Sequence, residues 1–194
     1  MISRIEDIPA LTRAWLAPLA ASDPARHAEL ARDVEIASPP PQPVDARLLG
    51  PAHADVAAVL AVLDLAGKEI GGFRFAPVDG ATVIDRLTAF NQVAARHFGV
   101  EGDVLFVGDY VSSWVVSTPG DLGLLQDNGE MQPLARDFGS FLVAQANAFD
   151  AFHRHILNGR EDEAAYRAEA LAAATDPALA KANVPLIYES QLKA

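Results

Sequence analysis

Between Asp103 and Leu142 three short apolar runs alternate with turn dipeptides and then give way to a helical stripe, and this stretch constrains the fold more than any other. Residues 104–107 (VLFV) are too few for a helix and rich in β-formers, and they stop at Gly108 and Asp109, a turn pair. Residues 114–116 (WVV) form a second run, closed by Thr118, Pro119 and Gly120. Leu124 and Leu125 lead into Asn128 and Gly129, and Glu130 and Met131 return. Asn-Gly accepts positive φ at both central positions of a tight hairpin turn, so this is the strongest local hairpin signal in the chain. Pro133 lacks an amide hydrogen, which predicts an edge position for the returning strand.

Asp137 is placed to cap a helix, its carboxylate accepting from free amides of the first turn. Phe138, Phe141, Leu142, Phe149, Phe152 and Ile156 then recur on one helical stripe, which predicts a face packed on the sheet. Asn158 and Gly159 supply a left-handed stop.

Upstream, helices are predicted over residues 8–17 and 24–33, and Pro39, Pro40, Pro41 and Pro43 predict an extended connector. Gly50 and Pro51 open a helix carrying Val56, Val59, Leu60 and Leu63 on one side. Residues 69–77 (EIGGFRFAP) read as one strand with a bend at Gly71 and Gly72, and Asp79 and Gly80 turn the chain. Val83, Ile84, Leu87, Phe90, Ala94 and Phe98 make another helical stripe. Residues 161–174 are an alanine-rich helix, and residues 185–192 are predicted to pair as a strand or lie in a groove. The order of elements predicts an α+β fold: an antiparallel or mixed β-sheet flanked by helices, with extra N-terminal and C-terminal helical segments. The corresponding division is residues 1–38 helical, 39–47 connector, 48–160 core and 161–194 helical extension.

The 194-residue chain has a formal net charge of −11 and no cysteine. The charge opposes nucleic-acid binding, which needs Lys and Arg against phosphate, and opposes docking on anionic membranes. Absence of cysteine excludes a disulfide framework and thiolate metal sites. No stretch approaches the roughly 20 apolar residues of a spanning helix, and no signal peptide opens the chain, so a cytoplasmic protein is expected. His153 and His155 form a His-x-His pair, but residues two apart on a helix point about 200° apart, so no shared metal is expected. His27, His53 and His97 read as isolated. No catalytic elbow, phosphate loop or cofactor motif occurs, and neither a cofactor nor a metal is expected.

Between Arg96 and Arg136 there is no Lys or Arg, while Glu101, Asp103, Asp109, Asp121, Asp127 and Glu130 all fall there. The meander is therefore predicted to be acidic, suited to a basic protein partner. Asp109, Tyr110, Trp114, Asp121, Asp127 and Glu130 are the candidate partner-binding residues, with Tyr110 and Trp114 as aromatic anchors if they point to solvent. Two alternatives stay open: a small-molecule site in a cavity under the phenylalanine helix, and hydrolase chemistry from Asp103, Asp109 or His153.

Residues 127–130 (DNGE), then Leu134, Ala135, Arg136, Asp137, Phe138, Phe141 and Leu142, resemble the closing segment of the SUKH superfamily, the SMI/KNR-like domains. There a hairpin strand leads into L-A-x-x-F-x-x-F-L at the head of a helix. Residues 105–109 (LFVGD) resemble the family strand that ends in a Gly/Asp turn, and residues 71–77 (GGFRFAP) resemble its earlier strand–proline–helix step. The resemblance spans about residues 48–156, although residues 56–66 lack the family's tyrosine and Asn-Gly-Gly. It implies a non-enzymatic α+β binding domain, of the kind that in bacteria includes immunity proteins neutralising toxins.

Overall fold

The computed structural model describes residues 1–41, 49–75, 83–99, 102–110, 113–126, 128–157 and 162–173. Asp127, the Asp79-Gly80 turn, the Asn158-Gly159 stop, most of the proline connector and the predicted pairing of residues 185–192 lie outside these residues.

Among the described residues six strands form one antiparallel sheet in sequence order: β1 (Glu69–Ile70), β2 (Phe73–Phe75), β3 (Leu105–Tyr110), β4 (Ser113–Thr118), β5 (Asp121–Leu125) and β6 (Met131–Ala135). The fold is α+β, as the element order predicts. The expected single strand over residues 69–77 is instead two strands, β1 and β2. Gly71 has φ of 62° and folds the chain back, pairing Ile70 with Phe73. A positive φ is strained for other residues, so this Gly-Gly pair makes a hairpin rather than a bend.

Helices α1 (Ile8–Ser22), α3 (Ala54–Val62) and α5 (Phe138–Phe152) contribute to the core on one face of the sheet. Asp137 caps α5 as predicted, its Oδ1 accepting from the Ser140 amide at 2.7 Å. On the α5 stripe Phe138, Phe141, Leu142 and Phe152 are buried, and Phe149 is half-buried against Trp15. Phe141 meets Phe73 edge-on with ring centres 5.1 Å apart, and Tyr110 at 6.1 Å. The aromatic stripe is thus occupied by ring contacts with the sheet, with α1 and, at Phe152, with Tyr166 near the C-terminal end of the described chain. The N-terminal helices belong to this core: α1 supplies Ile8 and Trp15, while α2 (Pro24–Val34) follows it.

Helix α4 (Val83–Phe98) covers the opposite face, where Phe90, Ala94 and Phe98 meet Phe106, Trp114, Val116 and Leu125. It also seals an edge. Among the described residues strand β2 pairs with β3 from Gly108 to Tyr110, and no strand pairs with the start of β3 on that side. Asn91 of α4 takes that place. Its amide nitrogen donates to the Phe106 carbonyl at 3.0 Å, and its oxygen accepts from the Phe106 amide at 2.7 Å. Gly108 and Asp109 are not the turn expected of them but lie within β3, paired on both sides. At Gly108, beside a register shift, a Cβ would overlap the Arg74 carbonyl oxygen and the Phe73 ring, so close strand packing and not a turn requires the glycine.

Beyond α5 the chain continues as a π-helical turn (His153–Leu157) and reaches α6 (Glu163–Ala173). Arg154 and His155 both bond Glu169 of α6, at 2.6 and 2.8 Å, and Arg154 also bonds Asp150 at 3.0 Å. His153 instead stacks on Trp15 and meets Phe149. The two imidazoles therefore diverge, toward α6 and toward α1. Among the described residues no helix is long and apolar enough to cross a membrane.

Candidate functional site

The strand register lines up one residue from each strand. Glu69 pairs with Arg74, Arg74 with Asp109, Asp109 with Trp114, Trp114 with Leu125 and Leu125 with Met131. Directly paired residues share a face, so this row crosses the whole sheet on the side that α4 covers. Leu125 is buried under α4, but the rest of the row keeps surface. Trp114 is half-buried, packed against Phe90, Phe98 and Phe106 with centroids 5.2–6.2 Å apart. Asp109 is exposed. Met131 is 43% exposed and lies over Gly123, where a Cβ would meet its sulfur.

Glu130 adjoins Met131 and is exposed. Asn128 orders this hairpin: its Oδ1 accepts from the Glu130 amide at 3.0 Å, and its Nδ2 donates to the Glu130 carboxylate at 2.9 Å. An open groove of about 810 Å³ runs along Gln126, Asn128, Glu130, Met131, Gln132 and Pro133. Pro133 has no amide hydrogen to offer along this outer edge, which disfavours pairing with another strand.

Two candidate residues are placed differently from expectation. Tyr110 is not an anchor at the surface: it is 1% exposed and its ring packs edge-on against Phe141 in the core. Alternation explains it, since Asp109 and Tyr110 are neighbours on a strand and point to opposite faces. Asp121 is exposed but starts β5, opposite Thr118, four residues of strand from the Trp114 row. That is roughly 13 Å at strand rise. The acidic residues thus divide between two ends of the sheet, with Asp109 and Glu130 at one and Asp103 and Asp121 at the other. The same geometry removes an Asp103–Asp109 acid/base pair, because most of β3 separates them.

Arg74 was not evident as a member of this surface, being far upstream in sequence. Its guanidinium bonds Glu69 at 2.9 Å and sits beside Asp109. The Asp109 carboxyl is raised above its ordinary range, desolvation outweighing its backbone hydrogen bond and the attraction of Arg74.

A second concavity lies at the other end of the sheet. An open cleft of about 330 Å³ is lined by Leu49, His53, Thr88, Asn91, Gln92 and the chain from Gly102 to Leu105. His53 ends a single 3-10 turn (Pro51–His53) entered through Gly50, whose φ of 75° few other residues adopt. The imidazole is 7% exposed, and its Nδ1 lies 3.1 Å from Ser117 Oγ of β4. Burial lowers the His53 pKa below its ordinary value, against the opposing pull of Asp55 and Asp103. Sequence offered no signal for this pairing, since 64 positions separate the two residues.

Comparison with protein-family models, with curated proteins and with solved structures gave no match.

Proposed function

We propose that the chain is a protein-binding domain whose partner is a basic protein, engaged by the row Asp109–Trp114–Met131 together with Glu130. The observation that carries this reading is the composition of that row. A half-exposed tryptophan and an exposed methionine are flanked by carboxylates on a rigid sheet. Interface centres are enriched in such aromatic and methionine side chains, and surrounding charges set encounter rate. The one cation in the row, Arg74, is already bonded to Glu69, so the net field there stays negative. In the reading that the SMI/KNR-like resemblance implies, the basic partner is a toxin.

The test is capture from lysate of the source cell by the wild-type chain and by an Asp109→Lys, Glu130→Lys double variant, then association kinetics with the recovered protein at two ionic strengths. The expected partner is basic, binds faster at low salt and is lost or slowed with the double variant. Association rates unaffected by the charge reversals at low salt would sink the proposal.

A further inference from the structure

The cleft around His53 lies at the opposite end of the sheet from the Trp114 row and is independent of the partner proposed there. Three features give it chemistry. First, Ser117 is 1% exposed, and His53 Nδ1 is its hydroxyl's one hydrogen-bond partner among the described residues. The hydroxyl hydrogen has no other acceptor among the described residues, so donation from Ser117 to Nδ1 is the arrangement that leaves no buried hydroxyl hydrogen unsatisfied. Second, a neutral imidazole that accepts at Nδ1 carries its proton on Nε2. Nε2 has no hydrogen-bond partner among the described residues and is not sealed from solvent, so this N–H is free on a side chain that lines the cleft. Third, the Asp103 carboxylate lines the same cleft, exposed, and acts electrostatically on His53.

One further polar group of the lining is committed elsewhere. Asn91 spends its amide on Leu87 and Phe106, which makes it a fixed wall. Among the described residues the cleft is therefore lined by the His53 imidazole, the Asp103 carboxylate, the exposed Thr88 and Gln92 side chains and apolar surface from Leu49, Val104 and Leu105. Its volume falls at the lower end of the roughly 300–1,000 Å³ typical of small-molecule sites. Anions are disfavoured, because Asp55 and Asp103 both bear on His53.

We propose that this cleft is a binding site for a small organic cation that carries a carbonyl or hydroxyl acceptor beside its ammonium or guanidinium group. The acceptor takes the hydrogen bond from His53 Nε2–H, the cation pairs with Asp103, and Ser117 holds the imidazole in the tautomer required. Free amino-acid amides and amino alcohols have this chemistry. A basic residue of a protein, with its own main-chain carbonyl, has it too.

The probe is L-argininamide, titrated into the full chain carrying ¹⁵N-labelled histidine, with the His53 ring nitrogens followed by long-range ¹H–¹⁵N spectra. The free protein is expected to show the Nε2–H tautomer, and millimolar probe is expected to shift the His53 Nε2 signal saturably. Asp103→Asn, which keeps an acceptor oxygen but removes the charge at an exposed residue, is expected to weaken binding about twofold to fivefold, the effect of losing an exposed ion pair. N-acetylglutamate at equal concentration should cause no shift. The proposal is overturned by an Nδ1–H tautomer, by the absence of a saturable shift, or by equal affinity in Asp103→Asn. Binding of a blocked Gly-Arg-Gly peptide without binding of L-argininamide would assign the cleft to a protein segment and overturn the small-molecule reading.

Discussion

At the scale of single residues, burial decides what each aromatic and each imidazole does. Phe141 is 2% exposed and held between the Phe73 and Tyr110 rings. Phe141→Ala is expected to destabilise the fold by roughly 3–5 kcal/mol, the range for a large core side chain whose site cannot collapse. Denaturant titration measures it, and a loss below about 1 kcal/mol would show that the ring is not packed as described. His53 and His153 are both held below the ordinary imidazole range, chiefly by burial, with nearby aspartates opposing. A histidine neutral in the fold binds protons preferentially when unfolded. Stability is therefore expected to fall as pH drops through the unfolded value near 6.5 toward the lower folded values. Glu169, lowered to about 2 by its hydrogen bonds to Arg154 and His155, acts in the same direction at lower pH. Its contribution is present above the unfolded carboxyl value and is lost as pH falls toward 2. Urea midpoints from about pH 8 down to about pH 5 should decline. A flat or rising midpoint would contradict neutral, buried imidazoles.

At the scale of elements, two contacts join parts that sequence presents separately. Asn91 of α4 completes the edge of β3 at Phe106. Asn91→Ala leaves a backbone donor and acceptor there without their partner, and the expected cost is roughly 1–3 kcal/mol. Asn91→Asp keeps the acceptor for the Phe106 amide but sets a carboxylate oxygen against the Leu87 and Phe106 carbonyls, so it should be no more stable than the alanine variant. Equal stability of all three chains would show that water replaces the side chain at no cost. The α5–α6 junction depends on Glu169. Glu169→Gln weakens its contacts to Arg154 and His155 at once, so amide exchange in α6 should speed up while exchange in β3–β5 stays unchanged. Uniform acceleration across the sheet would mean that α6 and the core open as one unit.

At the scale of the whole molecule, the sheet separates two surfaces. Charges that act on a partner at the Trp114 row must lie near it, because screening at physiological salt decays over about 8 Å. Asp121 is roughly 13 Å of strand away. Asp121→Lys should therefore change association far less than Asp109→Lys or Glu130→Lys, and kinetics at two ionic strengths will separate them. An equal effect of all three would argue for diffuse steering by the net charge of −11 rather than for a local site. Trp114→Ala is expected to weaken binding by about 2 kcal/mol or more, as hot-spot truncations do. It should also reduce stability, because one side of the ring packs on Phe90 and Phe98. The binding loss is therefore to be measured under conditions where the variant remains folded.

Local pattern alone was enough for the meander, the Asp137 cap, the phenylalanine face of α5 and the overall α+β class. Each depends on neighbours within a few positions, where periodicity and turn chemistry act. The Asn128-Gly129 hairpin and the stripe from Phe138 to Phe152 are examples. Which residues share a surface depended on register, which no local pattern encodes. Register turned Tyr110 inward while Asp109 faced out, moved Asp121 to the far end and brought Arg74 into the acidic row. The same holds for His53 and Ser117, which meet because the 3-10 turn Pro51–His53 packs on β4 across 64 positions of chain. A donor aimed by a buried hydroxyl has no sequence signature, since packing creates both the burial and the tautomer.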